Sequence, residues 1–267
     1  MIILKNGHTI TMSRYYSPLK EYSKYKRPKL FYRFVNIFIR KVIGRSDVVW
    51  LFEKFDEPSV YVCNHTRTYA PLAMELNFGV KTRPWVNAYM LTYRNCVKLL
   101  YHKIAFDLKP RFLIKTLAYI LSPLIALYFR SLEPIPVYHD KRLKTTFLKT
   151  SQTLEEGIDI IIYPEKNIVS PNKFVNDMQT GFVNLARHYY DSTGRLVNFY
   201  PVYCCKDLKK ILVGKPIQYD PEINIKEQRE IIGNYLTDAI NDLGASLPEH
   251  KVYLNKAYPP EINRYNF

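Results

Sequence analysis

Short apolar runs alternate with longer amphipathic segments over most of this chain, and this alternation constrains the fold more than any other feature. Candidate strands occupy residues 48–52, 59–63, 135–138, 158–163, 197–204 and 210–213. Helical periodicity lies between them, over residues 141–156, 177–191 and 226–243, with Gly157 and Gly244 as expected helix ends. Strands that alternate with helices favour a layered α/β fold. We therefore predict a single α/β domain with a mixed, largely parallel central sheet flanked by helices.

Residues 28–45 add an amphipathic helix before this domain. Their apolar side chains recur as pairs four residues apart, and basic residues fill the remaining positions. A bulky apolar face beside a basic face is typical of a helix that lies in a membrane interface. An ordinary helix packed on the domain stays open as the alternative. We expect an N-terminal amphipathic, candidate membrane-interfacial region over residues 1–47 and an α/β domain over residues 48–267.

Residues 111–129 form the most apolar stretch of the chain. Lys115 and Pro123 interrupt it, and it is short for a membrane-spanning helix of about 20 residues. We predict a buried or half-immersed helical hairpin here, not a transmembrane pass.

The charge balance indicates anionic partners. Lys and Arg total 39 against 24 Asp and Glu, which gives a net charge of +15, and the chain holds 23 Tyr and 14 Phe. Basic and aromatic residues together suit an anionic lipid surface, although a source with a lysine-rich proteome would also explain the charge. Nucleic acid is not expected as a partner, because the basic residues are scattered and no zinc-finger spacing or ribonucleoprotein motif is found.

The four cysteines show neither C-x-x-C spacing nor a His/Cys cluster, so we expect reduced thiols, an interior compartment and no metal. The first 17 residues lack the apolar core and cleavage site of a signal peptide. We expect a cytoplasmic protein held peripherally on the inner face of the membrane.

Two candidate strands end in polar motifs, which is where α/β folds keep their sites. The first delivers Asn64 and His65, with Arg67 two residues later, and Pro71 then opens a candidate helix. A histidine can act as a general base near neutral pH. The second strand ends in Tyr163-Pro164-Glu165-Lys166, which can grip a hydroxyl and an anionic group. For each run, an ordinary polar turn is the alternative reading.

The order of these motifs resembles that of the lysophospholipid and glycerolphosphate acyltransferase superfamily. Residues 64–70 correspond to its first motif, residues 134–140 to its second, residues 163–167 to its third and residues 199–203 to its fourth. The resemblance implies transfer of a fatty acyl group from acyl-CoA or acyl-carrier protein to a glycerolipid-type acceptor at a membrane, with no other cofactor. It implies that His65 is the base and that Glu165 binds the acceptor, with Asn64 beside them.

The chain departs from the family pattern at several positions. Ala70 replaces the Asp that orients the histidine, His139 replaces an Arg, and Lys166-Asn167 replace Gly-Thr. Loss of an orienting Asp costs a serine protease roughly 10⁴ in rate. Glu75 lies too far along the helix to substitute, so we name Asp140 as the replacement, on condition that its strand lies next to that of His65. Arg67, Lys166 and His139 are expected to bind an anionic group of the substrate.

Two further interpretations stay open. The chain is either an active enzyme or a catalytically silent relative that binds lipid, an alternative that Ala70 favours. Cys63, two residues before His65, points to the same face of its strand and is a candidate thiol catalyst.

Overall fold

The computed structural model describes residues 2–3, 9–10, 29–66, 68–105, 111–165, 175 and 178–251. Strands β1 (Ile2–Ile3) and β2 (Thr9–Ile10) pair with each other in an antiparallel manner. All further strands described here belong to the central sheet.

The central sheet contains eight strands within the described residues. They are β3 (Asp47–Trp50), β4 (Ser59–Cys63), β5 (Thr82–Asn87), β6 (Ile135–Val137), β7 (Asp159–Ile162), β8 (Asn198–Cys205), β9 (Lys210–Val213) and β10 (Ile217–Gln218). The order is β3-β9-β8-β4-β7-β5-β6, with β10 beside β8. Strands β4 to β8 run parallel to one another, whereas β9 and β10 are antiparallel to β8. Strand β3 pairs with β9 and runs parallel to it. The predicted mixed, largely parallel sheet is confirmed.

The helices cover both faces of this sheet. They are α1 (Lys29–Ile43), α2 (Tyr69–Asn77), α3 (Tyr93–Ala105), α4 (Arg111–Ser131), α5 (Leu143–Glu155), α6 (Asn184–Thr193) and α7 (Ile225–Ala245), with 3₁₀ turns at Ala88–Leu91 and Thr180–Val183. Buried residues of α5, α6 and α7 pack on one face of the central strands, in a cluster that includes Leu154, Leu185 and Leu236. Residues of α2, such as Ala70 and Met74, pack on the opposite face. Strand β4 is buried along its whole length, because it lies between these two clusters.

Helix α1 docks on α2 and α4 through polar contacts. The Tyr32 ring stacks on Tyr128 at 6.5 Å, and the Tyr128 hydroxyl donates to the Asn36 side chain at 3.1 Å. Tyr32 also donates to the Glu75 carboxylate on α2. Helix α1 is therefore fixed on its inner face, while large apolar side chains on its other side stay exposed. These exposed residues are Leu30, Phe34, Ile37, Phe38 and Val42.

Three features differ from the sequence-based predictions. Residues 111–131 form one continuous helix that contains Pro123, not a hairpin, and α3 packs against it. Strand β5 and helix α3 were not predicted at all. Gly244 does not end α7, which continues to Ala245, whereas Gly157 follows α5 with the expected positive φ of 70°.

In the part of the chain that the structure describes, no helix combines the length and hydrophobicity needed to cross a membrane. The division at residue 47 into two regions stays a prediction, because most of the first 28 residues lie outside the described part.

Candidate active site

The candidate site lies at the carboxyl end of β4, the middle strand in the order β3-β9-β8-β4-β7-β5-β6. Its neighbours are β8 on one side and β7 on the other. Both of those strands end at the same edge of the sheet, because they run parallel to β4. Residues that follow β4 and β7 therefore meet there, beside the last residues of β8, although the chain separates them widely.

Asn64 ties the end of β4 to β8. Its side-chain oxygen accepts a hydrogen bond from the Cys204 N–H at 2.7 Å, and its side-chain nitrogen donates to the Cys204 carbonyl at 3.3 Å. Asn64 is buried. Both polar atoms of its side chain are thus hydrogen-bonded to the main chain of β8, whereas we predicted from the sequence that Asn64 binds substrate.

Glu165 ties the same point to β7. Its Oε2 atom accepts a hydrogen bond from the main-chain N–H of His65 at 2.7 Å. The half-burial of Glu165 raises the pKa of its carboxyl, and the His65 N–H partly offsets this effect. Glu165 is itself held by an antiparallel bridge to Met178, next to a hydrogen bond from the Gln179 N–H to the Pro164 carbonyl at 2.9 Å.

The His65 ring contacts the ring of Tyr163. The Tyr163 ring meets it edge to face, with centroids 5.5 Å apart and planes at 72°. His65 is half-buried, and its Nδ1 atom is shielded from solvent. The Tyr163 ring limits the orientations open to the imidazole, and a general base needs a defined position relative to the proton that it takes.

Ala70, which stands where the sequence resemblance implied an aspartate, lies in an apolar cluster. Ala70 has 0% exposure and packs in the cluster that contains Tyr61, Cys63 and Met74. The Ala70 N–H, in the first turn of α2, donates to the Thr66 hydroxyl at 3.1 Å. The turn that carries His65 is thereby anchored to α2.

The structure does not bring Asp140 or His139 to His65. Both follow β6, and strands β7 and β5 separate β6 from β4, which is a distance of roughly 14 Å at the usual strand spacing. Asp140 is exposed and pairs with Arg142 at 2.6 Å, and this hydrogen bond lowers the pKa of Asp140 to about 2. The condition on which Asp140 was named is not met, and His139 is exposed at the same strand end.

Arg67 and Lys166, the two basic residues expected to bind an anionic group, lie outside the described residues. In the described ranges, His, Cys, Asp and Glu side chains form no group of three that could hold a metal ion.

Cys63 has the surroundings of a core residue. It has 1% exposure, and its thiol donates to the Asn64 side-chain oxygen at 3.6 Å. Burial raises the pKa of the Cys63 thiol, whereas a nucleophilic cysteine needs a lowered pKa. This environment disfavours the thiol-catalyst alternative. All four cysteines are free and buried.

Two contacts of the site were not predicted from the sequence. They are the ring contact between Tyr163 and His65 and the two hydrogen bonds between the Asn64 side chain and the main chain of Cys204. The only signal available was that two apolar runs, residues 59–63 and 158–163, each end in a polar motif. The run of residues 197–204 gave no sign that its main chain would hold Asn64.

Fold and site together define an α/β protein with a histidine and a half-buried glutamate at the carboxyl edge of its central parallel strands. No protein-family model matches the chain, and no curated protein matches it. Among solved structures, it is similar to the 1-acyl-sn-glycerophosphate (LPA) acyltransferase PlsC from Thermotoga maritima, at 14% sequence identity. The alignment covers 89% of this chain and 94% of that chain, with a TM-score of 0.47. A likeness of this size fixes neither fold nor activity, and the fold described above follows directly from the strand order and pairing.

Proposed function

We propose that this protein is an acyltransferase that moves a fatty acyl group from a thioester, on CoA or an acyl-carrier protein, to the hydroxyl of a glycerolipid-type acceptor at a membrane surface. One observation carries the proposal. His65 and Glu165, from motifs 100 residues apart, meet through a 2.7 Å hydrogen bond at the carboxyl edge of the sheet. The resemblance of the motif order to the acyltransferase superfamily supports the same chemistry.

In this proposal His65 is the general base. We assign the proton transfer to Nε2, because Nδ1 is shielded from solvent. The acceptor hydroxyl gives its proton to Nε2, its oxygen forms an ester bond with the acyl carbon, and the carbon–sulfur bond breaks. The proton then passes to the leaving thiolate. Arg67 and Lys166 are proposed to bind an anionic group of the acceptor. Measurement of the KM for the acceptor tests this role, because Arg67→Gln and Lys166→Gln should each raise it.

The test is the release of free thiol from acyl-CoA or acyl-carrier protein, with lysophospholipid and glycerol-phosphate acceptors. His65→Ala should lower acceptor-dependent release by about 100-fold or more, the usual contribution of a general base. His250→Ala is the matched control, because His250 contacts Tyr203, whose side chain packs on the other face of the sheet. Equal release by wild type and His65→Ala would contradict the proposal.

A second candidate function is lipid binding without turnover. Ala70 favours it, because a fully buried alanine stands where the superfamily has its aspartate. Absence of thiol release with every acceptor, on vesicles as well as in solution, together with saturable lipid binding, would establish this alternative.

We also propose that α1 and α4 contact an anionic membrane surface. Helix α1 exposes Phe34 at 60% and Val42 at 83%, and α4 exposes Phe112 at 68% and Ile120 at 62%. The segments Lys29–Ile43, Tyr93–Ala105 and Arg111–Ser131 contain Lys and Arg but no Asp or Glu. Exposed apolar side chains on a basic, acid-free surface suit an anionic lipid surface.

Flotation with vesicles of phosphatidylglycerol and phosphatidylcholine tests this surface. The double change Phe34→Ser and Ile120→Ser should lower binding at least tenfold, because each large apolar side chain contributes about 1.5–3 kcal/mol on burial. Ile231→Ser is the matched control, since Ile231 is an exposed apolar residue on α7. Salt-sensitive DNA binding without vesicle binding would contradict the proposal.

A further inference from the structure

The side chains of Asn64 and Glu165 lie on opposite sides of the main chain at His65. Each forms hydrogen bonds that main-chain groups would form in a continuing sheet. The regular ladder between β4 and β8 reaches the Asn64 N–H, which bonds to the Val202 carbonyl at 3.4 Å. The next bonds of the ladder would come from the peptide groups beyond Asn64. Instead, the Asn64 side chain supplies one acceptor and one donor to Cys204. A primary amide offers the same pair of groups as a peptide unit.

Glu165 does the same on the opposite side of β4. In a continuing parallel ladder the His65 N–H would bond to a main-chain carbonyl of β7, but β7 ends at Ile162. The Oε2 atom of Glu165 accepts that hydrogen bond at 2.7 Å. A short N–H bond to a carboxylate is among the stronger hydrogen bonds of proteins.

Together these contacts let the main chain turn away from the sheet at His65 while the His65 N–H and the N–H and carbonyl of Cys204 stay hydrogen-bonded. Residue 65 is the first residue beyond the ladder on both sides, so its position depends on the two side chains. We propose that Asn64 and Glu165 are positioning residues that fix the main chain of His65, and that they act on the reaction through His65 and not by holding the acceptor. The kinetic part of this inference rests on the acyl transfer proposed above.

Positioning and acceptor binding predict different kinetics. Glu165→Ala removes the hydrogen-bond acceptor and should lower kcat roughly 100-fold with KM nearly unchanged, because a displacement of about 1 Å in a reacting group has an effect of that size. Glu165→Gln keeps a side-chain oxygen for the His65 N–H and should restore kcat to within about tenfold of wild type. A KM raised by both changes, with kcat unchanged, would show that Glu165 holds the acceptor.

The role of Asn64 is tested by comparing the variant Asn64→Ala with a control variant, Asn77→Ala. Asn64→Ala removes both bonds to Cys204 and should likewise lower kcat with little change in KM. Asn77→Ala is the control, because Asn77 donates a side-chain hydrogen bond to the Ala73 carbonyl at 3.0 Å, at the far end of α2. An equal effect of both changes on kcat would overturn the role of Asn64.

A spectroscopic measurement tests the contact without any turnover. The chain has 6 His, so selective ¹⁵N-histidine labelling gives a small set of amide signals. A short bond to a carboxylate moves the amide proton downfield, and the His65 signal should shift upfield in Glu165→Ala more than any other histidine amide. In Glu165→Gln the shift should be smaller. An unmoved His65 signal would overturn the inference, even if acyl transfer is confirmed, and a moved signal would support it even if no acceptor is turned over.

Discussion

At the scale of single residues, the substitution at Ala70 is the departure with the largest consequence. The side chain is fully buried among Tyr61, Cys63 and Met74. The site therefore has an apolar cluster where the resemblance implies a carboxylate. A carboxylate at this position would have to be desolvated, and its pKa would rise.

We expect Ala70→Asp to destabilise the fold by about 2–4 kcal/mol near neutral pH, because it buries a charged group in apolar surroundings. The loss should grow as the pH rises above the ordinary aspartate pKa of about 3.9, since the folded state disfavours the ionised form. Thermal unfolding at several pH values measures this. Ala70→Asn serves as a control of similar size, and an equal pH-independent loss in both variants would contradict the expectation.

Glu165 gives a pH prediction of its own. Its carboxyl has a raised pKa in the folded chain, so the folded state holds the proton more tightly than the unfolded state. Wild type should lose stability as the pH rises from the ordinary value of 4.5 through the raised pKa, by the linkage between protonation and folding.

Glutamine does not titrate, and Tm of Glu165→Gln minus Tm of wild type should therefore increase across this window. Calorimetry from pH 4 upward measures the difference. A difference that stays constant, or falls with pH, would show that the carboxyl is not perturbed in this direction.

The residues of the site were only partly predictable. His65 and Glu165 each follow an apolar strand, and local pattern was enough to predict their places beyond β4 and β7. Asp140 follows a strand too, but whether it reaches His65 depends on strand order, which is set by contacts between distant segments. The apolar pattern of a strand says that it is buried and not which strands lie beside it.

At the scale of elements, β5 and α7 show why two patterns were misread. Strand β5 contains Pro84, which normally argues against an interior strand. Residues 82–84 pair with β7, whereas pairing with β6 begins at Trp85, so Pro84 lies where the strand changes partner and its missing N–H is tolerated. Gly244 was predicted to end its helix, but it lies inside α7. A glycine occurs there because α7 packs closely on the Tyr203 ring of β8, which leaves no room for a side chain.

The close approach at Gly244 can be tested. A Cβ atom there would lie 2.8 Å from the Tyr203 ring, which is nearer than real Cβ contacts. We expect Gly244→Ala to destabilise the fold by about 1–3 kcal/mol, as overpacking of a core usually does. Denaturant unfolding measures the change.

The matched control is Gly181→Ala, because a Cβ at Gly181 would meet nothing within 4 Å. It should be neutral or slightly stabilising, since alanine restricts the unfolded chain. Equal stability of the two variants would show that α7 can move away from β8 at little cost.

At the scale of the whole molecule, the net charge of +15 predicts how membrane binding responds to salt. Raising the salt concentration from about 0.1 M to about 1 M shortens the Debye length from about 10 Å to about 3 Å. Affinity for anionic vesicles should fall at least tenfold over this range, because each basic residue near the surface contributes about 1 kcal/mol at low salt.

The double variant Arg33→Gln and Lys41→Gln should show a shallower salt dependence than wild type, since both residues are exposed on α1. Phe34→Ser should weaken binding and leave the salt dependence unchanged. Identical slopes for wild type and the charge variant, measured by vesicle flotation, would place the electrostatic contact elsewhere on the molecule.

The pairing of β4 also has a consequence for how the chain folds during synthesis. The bonds that hold the turn at His65 join residues 100 positions apart on the β7 side and 140 positions apart on the β8 side. Ribosomes add about 5–20 residues per second, so the β8 side of this turn is completed about 7–28 s after His65 has been synthesised. Helix α1 and the two helices on which it docks, α2 and α4, all precede β7 and β8 in the chain. The exposed apolar surface of α1 and α4 is therefore synthesised before the two strands that hold the turn at His65.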